Sequence, residues 1–270
     1  MAGKVNLPSV DALFGIPTGK ESVQEVSISL LHPFKDHPFQ VQIDEKLLES
    51  VQEYGILSPL LVRKRNDSAY EIISGHRRCA AATQLGMGKL PVLIRELTDE
   101  EATILMVDSN IQRENLLPSE KAFAYRMKLE AIKAQGKSSG RSKTAREVVA
   151  EEAGVNRMEV SRYIRLTYLI PTLLASVDNK KLTLLAAVEL SYLSAKEQEQ
   201  ITFMPSLQQA KELRRRSQEG AFTTKGIVQA KSKKSFTLKT FKPYFPKGYS
   251  NEQMMERIVQ LLKQYGVEEE

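Results

Sequence analysis

Gly75-His76-Arg77-Arg78 follows directly on the apolar run Tyr70–Ile73, and a small-residue stretch from Cys79 to Ala82 leads on to Leu85 and Gly86. This reads as strand, turn and helix, with two guanidinium groups on the helix's first turn. Cations are unfavourable at that end, where the helix dipole is positive. Free backbone N–H groups and forked arginine donors there suit a phosphate arriving from outside, and Gly75 lets a backbone approach closely. A second cluster, Ser109-Asn110-Ile111-Gln112-Arg113-Glu114-Asn115, closes the next helix and offers two amides and another guanidinium. Two phosphate-directed clusters in one domain fit a nucleotide's triphosphate, although surface arginines in ordinary ion pairs would account for the same letters. Neither G-x-x-x-x-G-K-[ST] nor G-x-G-x-x-G occurs, so no P-loop or Rossmann fingerprint is present.

The segment Arg146–Arg165, REVVAEEAGVNRMEVSRYIR, carries a different chemistry. A helix-turn-helix needs a small residue where its helices touch, a glycine in the turn and an aliphatic residue facing back from the second helix. Ala150, Gly154 and Val160 fill those places, with Val149, Val155 and Ile164 as supporting core. Asn156, Arg157, Glu159, Ser161 and Arg162 are left outward, and Arg165 completes the set of candidate DNA contacts. Such side chains can reach base edges and phosphates in a major groove. An ordinary helical hairpin would also favour Gly in its turn.

Charge supports a polyanion partner. The 270 residues carry a net +6, unevenly spread. Between Pro205 and Lys247 eleven Lys and Arg stand against only Glu212 and Glu219, and Lys133–Arg146 contains no acid. Hydrophobic content of 41% and charged content of 27% are those of an ordinary folded chain. No apolar run approaches the roughly 20 residues a membrane span needs, and the opening MAGKVNLPSVDALFG has no signal-peptide core. The single Cys79 excludes an internal disulfide and fits a reducing cytoplasm; it reads as a small buried helix residue rather than a nucleophile. His32, Asp36 and His37 lie among prolines and read as loop residues rather than metal ligands.

The elements that must position these groups follow from pattern. Val26–Leu30 alternates as a strand. Asp44 caps a helix with Leu47, Leu48, Val51 and Tyr54 on one face and Gly55 as its stop. PLLVRKR and YEIIS are strands around Asn66-Asp67-Ser68, and PVLIRE is another. Thr98 and Glu101 form a capping box, and Pro118 opens a long helix reaching Gly136. The expected fold class is α+β, divided into a flexible arm (1–22), an α+β domain (23–135), an all-α helix-turn-helix domain (136–220), a linker (221–240) and a C-terminal helix region (241–270). There Met254, Ile258, Leu261, Leu262 and Tyr265 form one apolar stripe, a candidate dimer contact.

The ordered set GILSPLLV, YEIISGHRRCAA, SNIQRENLLPSEKAFAY and helix-turn-helix resembles the ParB partition family across roughly residues 24–200. The resemblance implies a ParB/sulfiredoxin-like N-terminal fold and a CTP-dependent DNA clamp. It further implies Mg2+ beside CTP, a homodimer, a ParA-type ATPase partner, and a cytoplasmic place on nucleoid or plasmid. By the same resemblance Gly75, Arg77 and Arg78 match the phosphate box, in which His76 also sits. Asn110 matches a magnesium-linked asparagine, and Gln112 and Arg113 complete the second box. Gly55, Ile56, Leu57, Ser58, Pro59 and Leu60 match the loop that meets base and sugar. Two departures stand out: His76 and Ser109 occupy places where the family has glutamates, which implies weak metal binding and feeble or absent CTP hydrolysis. The arm carries only Lys4 and Lys20 as basic residues, an unfavourable sign for the ATPase partner. Other readings are a helix-turn-helix transcription regulator of a mobile element, and a nuclease on the same fold using Asp108 and Glu114. A sulfiredoxin-like enzyme would need its cysteine where Gly75 stands.

Overall fold

The computed structural model describes residues 22–65, 69–113, 115–136, 144–225, 242–246 and 248–264. The arm up to residue 21, the turn 66–68, Glu114 and most of the expected linker therefore lie outside the described residues. Two compact units divide the chain, Met1–Phe222 and Thr223–Glu270.

In the first unit a five-stranded sheet is built from β1 (Val23–Ser27), β2 (Leu31–His32), β3 (Leu60–Lys64), β4 (Tyr70–Ser74) and β5 (Lys89–Arg95), in the order β1-β5-β3-β4-β2. β1 runs antiparallel to β5, β5 parallel to β3, β3 antiparallel to β4, and β4 parallel to β2. The strand expected over Val26–Leu30 is displaced. It starts at Val23 and gives way at Ile28 to a single 3-10 turn, where the Ile28 N–H turns to the Gly88 carbonyl.

One face of the sheet is covered by α1 (Glu45–Tyr54) and α2 (His76–Gln84), in a core of Leu60, Val62, Ile72, Ala81, Ala82, Leu90, Val92 and Cys79. Burial pushes the Cys79 thiol up, as suits an inert packing residue. The other face meets α3 (Asp99–Ile111) and α4 (Pro118–Ala134) through Ile73, Phe34, Phe39, Met106, Val107 and Ala124. α4 then turns a second face, Tyr125, Leu129 and Ile132, to α5 (Ala145–Glu152) and α6 (Arg157–Leu166). Four more helices follow: α7 (Pro171–Asp178), α8 (Leu184–Leu190), α9 (Ala195–Glu199) and α10 (Leu207–Gln218). The second unit holds α11 (Asn251–Gln264), begun by reciprocal Ser250–Gln253 hydrogen bonds; Met254 is buried, while Met255 and Val259 stay exposed.

Two local features fix the turn from β4 into α2. Gly75 has φ +105°, and a Cβ there would stand 2.8 Å from the Leu60 Cγ. The glycine is thus required by its own chain, before any ligand is considered. His76, the next residue, points inward. Its Nε2 accepts the Phe34 N–H at 3.2 Å, and its ring lies 3.9 Å from that of His37. Burial first, then the charges of His37 and Arg113, push the His76 pKa down to about 3.

Two predictions follow from this turn. Gly75→Ala should cost roughly 3 kcal/mol in urea unfolding, combining a strained φ with overpacking on Leu60. Gly86→Ala, with φ +71° but nothing within 4 Å of the added carbon, should cost about 1 kcal/mol. The histidine sets a pH dependence. Between the unfolded pKa near 6.5 and the folded value of about 3, the unfolded chain binds a proton that the folded one refuses. Stability is therefore lost as pH falls through that window. Lowering pH from about 7.5 to 5 should remove up to about 2 kcal/mol through His76, and His76→Gln should flatten that part of the profile. Equal pH slopes for the two proteins would refute the assignment.

Candidate nucleotide and nucleic-acid sites

The two arginine boxes meet in one open cleft of about 490 Å³, lined by Gln40, Gln42, Asp44, Arg77, Arg113, Asn115, Leu117 and Glu120 among others. Arg77 reaches it from the first turn of α2 and Arg113 from just beyond α3. Burial, then the nearby Arg77 charge, lowers the Arg113 pKa, and its guanidinium rests 5.9 Å from the centre of the Phe39 ring. No acid pairs with Arg113 among the described residues. The Glu120 carboxylate, which lines the same cleft, acts on it in the opposite sense without forming an ion pair.

Arg77 is different from the expectation. Its Nε donates to the Gln42 carbonyl and its Nη2 to Asp44 Oδ2, both at 2.7 Å. The chain's own acid answers its charge, because Arg77 on the first turn of α2 reaches across to the N-cap of α1. The pair is exposed, with side-chain exposures of 37% and 61%, so solvent screens it and it holds Arg77 only weakly.

Arg78 also departs from the phosphate-facing reading. It donates to the carbonyls of Ser58 and Pro59, at 3.1 Å for Pro59, and so hooks the loop Gly55–Leu60 onto α2. Gly55, Ser58, Pro59, Leu60, Gly75 and Arg78 therefore come together as one local assembly, with Leu60 fully buried and Leu57 exposed. His76 is withdrawn into the core. Asn110 is buried and its amide donates to the Met106 carbonyl at 2.8 Å and to the Ser109 Oγ at 3.1 Å. Gln112 lies exposed at the end of α3. Gln40, Gln42 and Glu120 were missed by sequence reasoning, and Asp44 had been read only as a cap. It is one, accepting the Leu47 N–H at 2.8 Å, but it faces the cleft as well.

Metal donors are poorly represented. Both Glu120 oxygens accept backbone N–H groups, from Gln40 and Leu117, each at 2.7 Å. Asp108, one half of the nuclease reading, pairs with the buried Lys128, and Glu114 is outside the described residues. No group of three or more His, Cys, Asp or Glu side chains that could hold a metal occurs among the described residues.

The helix-turn-helix has its expected joint. Gly154 takes φ +67°, with the Val155 N–H returning to the Ala150 carbonyl at 3.0 Å and the Gly154 N–H to Glu151 at 3.2 Å, a Schellman closure. Val149 and Val160 are fully buried and Ala150 nearly so. On α6, Asn156 spends its carbonyl oxygen capping Glu159 N–H at 2.8 Å, and Ser161 donates to the Arg157 carbonyl at 3.0 Å. Arg157 is exposed with a loose 3.3 Å contact to Glu147, Arg162 is exposed, and Glu159 is half-buried.

Arg165 does not join them. Its guanidinium is sandwiched between Tyr168 and Tyr192, 4.5 and 3.9 Å from the ring centres. It also donates to the Ser191 Oγ at 3.0 Å and to the Ser191 carbonyl. Of the partners that turn it back, Tyr168 lies three residues on, while Ser191 and Tyr192 lie 26 and 27 residues on, beyond the motif that suggested it. A second cleft, between α4, α5 and α6, gathers Lys133, Arg146, Arg157 and the exposed Met158 beside the outward face of α6.

Known proteins resemble this chain in sequence. The family model described as ParB N-terminal domain matches residues 17–111. A protein named nucleoid occlusion protein from Listeria monocytogenes is 31% identical over 188 residues, covering 68% of this chain and 62% of the relative. A probable chromosome 1-partitioning protein ParB from Deinococcus radiodurans is 38% identical over 159 residues, covering 58% and 51%. The chain thus spans about half to three-fifths of the length of these two relatives. Among solved structures, the C-terminally truncated ParB of Caulobacter crescentus complexed with CTP-gamma-S is 26% identical, covering 71% of this chain and 98% of that one, with a TM-score of 0.31. The family match thus assigns residues 17–111 of this chain to the ParB N-terminal domain.

Proposed function

We propose that the chain is a sequence-specific DNA-binding protein of the partition type. It would act on double-stranded DNA as a homodimer in chromosome or plasmid segregation, with CTP in the Arg77–Arg113 cleft. The carrying observation is the helix-turn-helix: its joint residues are buried in place while Arg157 and Arg162 stand exposed on α6. Lys133 and Arg146 flank that face and would meet the DNA backbone. The cleft supports the nucleotide half, since guanidiniums from two separate boxes converge in it. The exposed side of the α11 stripe is the dimer contact under this reading, and a ParA-type ATPase is the expected partner. Residues 136–220 act as the DNA-binding part and 23–135 as the nucleotide-binding part.

The test is retention of genomic fragments by the purified full chain, with the recovered fragment then used in fluorescence anisotropy. Arg162→Ala should weaken that binding about tenfold or more if it reads a base, and Arg146→Ala should weaken all sequences alike and lower the salt slope by about one. Arg165→Ala should instead lower thermal stability, because it loses two aromatic contacts and Ser191. Equal affinity of wild type and the Arg157→Ala/Arg162→Ala double variant for the fragment would overturn the DNA reading.

Turnover is expected to be feeble or absent. His76 is neutral and buried and the Ser109 Oγ donates to the Met106 carbonyl at 2.9 Å, so neither places a base for water. Phosphate release from CTP, followed with and without the retained fragment, should stay at the level of a protein-free control; sustained release stimulated by DNA would contradict it.

A further inference from the structure

The donor set of the cleft does not fit a magnesium ion. Mg2+ in phosphate sites is held by one or two carboxylates together with phosphate oxygens. Asp44 commits Oδ1 to the Leu47 N–H and Oδ2 to Arg77. Glu120 commits both oxygens to backbone N–H groups. Where the resemblance places further acids, the structure has a histidine whose Nε2 takes the Phe34 N–H and a serine whose Oγ donates to its own helix. The positive side of the balance is already supplied: Arg113 makes no ion pair among the described residues, with Glu120 acting on it only at a distance, and Arg77 is held by the Gln42 carbonyl and one exposed pair with Asp44.

We propose that this cleft binds its polyphosphate ligand as the metal-free anion, with Arg113 and Arg77 providing the charge compensation that a divalent cation supplies elsewhere. This inference rests on the nucleotide reading above. Phosphate charge that Mg2+ neutralises attracts the two forks less strongly, so metal and arginines compete in part for the same negative charge. A cation would also enter a cleft whose nearest uncommitted charge is positive. Arg77 would exchange Asp44 for phosphate, and Asp44 would keep its cap on α1.

Calorimetric titration of the full chain with CTP, once in EDTA and once in excess Mg2+, tests this, with inorganic tripolyphosphate in EDTA as a third arm. Binding in EDTA should be at least as tight as in Mg2+, and Arg113→Gln should weaken it tenfold or more with an unchanged circular dichroism spectrum. Binding of CTP tenfold or more tighter in Mg2+ would overturn the proposal and leave the nucleotide reading standing. Tripolyphosphate binding in EDTA while CTP stays silent in both buffers would keep the metal-free anion site and overturn CTP as its occupant. Silence of both ligands in EDTA overturns the proposal outright.

Discussion

A lysine ammonium in a protein interior must be met by acid, and Lys128 sets that requirement at the centre of the first unit. Its side chain is 3% exposed, and it pairs with Asp108 on α3 and with Glu152 at the end of α5, at 2.8 Å for the latter. Removing the partners of a buried charge costs several kcal/mol, so the three helices are bound to one mutual arrangement. Apolar packing on α4 agrees with it. Ala124 faces the sheet core, and Tyr125, Leu129 and Ile132 face the helix-turn-helix. The same α3 that Asp108 anchors ends two residues later in the Asn110–Arg113 box. The cleft and the helix-turn-helix therefore both rest on one helix, α4, which Lys128 ties to α3 and α5.

Three arginines of similar appearance do three different things because their surroundings differ. Arg78 has carbonyl oxygens within reach and becomes a brace for the Gly55–Leu60 loop. Arg77 lies beside the Asp44 cap and becomes half of an exchangeable ion pair. Arg113 has an aromatic ring beneath it and, among the described residues, no acid in direct ion-pair contact, so its guanidinium lines the cleft opposite the Glu120 charge. The dipole argument that first singled out α2 holds for the helix end, since Gly75 supplies no side-chain cap to it. It does not by itself say which guanidinium a phosphate meets.

What was legible in the sequence had a local cause. Asp44, Thr98, Pro118 and Gly154 stop or start helices through bonds made within a turn or two, and each stands where its chemistry placed it. The turn residues Ala150, Gly154 and Val160 were readable for the same reason. What was not legible depended on residues far along the chain. Glu120 serves Gln40 across 80 positions, and His76 serves Phe34 across 42. Lys128 gave no sign of burial, since a lysine on a helix normally reads as solvated. The displaced first strand belongs to the same class: its end is set by Gly88, not by the alternation of Val26–Leu30.

The fate of Arg165 narrows what α6 can read. Two tyrosine faces and Ser191 fix that guanidinium, and Tyr192 carries the Arg214 guanidinium 3.7 Å from its ring centre, so α6 is tied through its last turn to α8 and α10. Under the proposed DNA reading, an anchored C-terminal end cannot adapt to bases, whereas Arg157 at the helix start and Arg162 at its middle are free of comparable restraint. Recognition helices contact base edges mainly through their N-terminal residues. The sandwich therefore spends one arginine of the motif on holding the helix at a fixed tilt, and under the proposed DNA reading discrimination falls to Arg157 and Arg162.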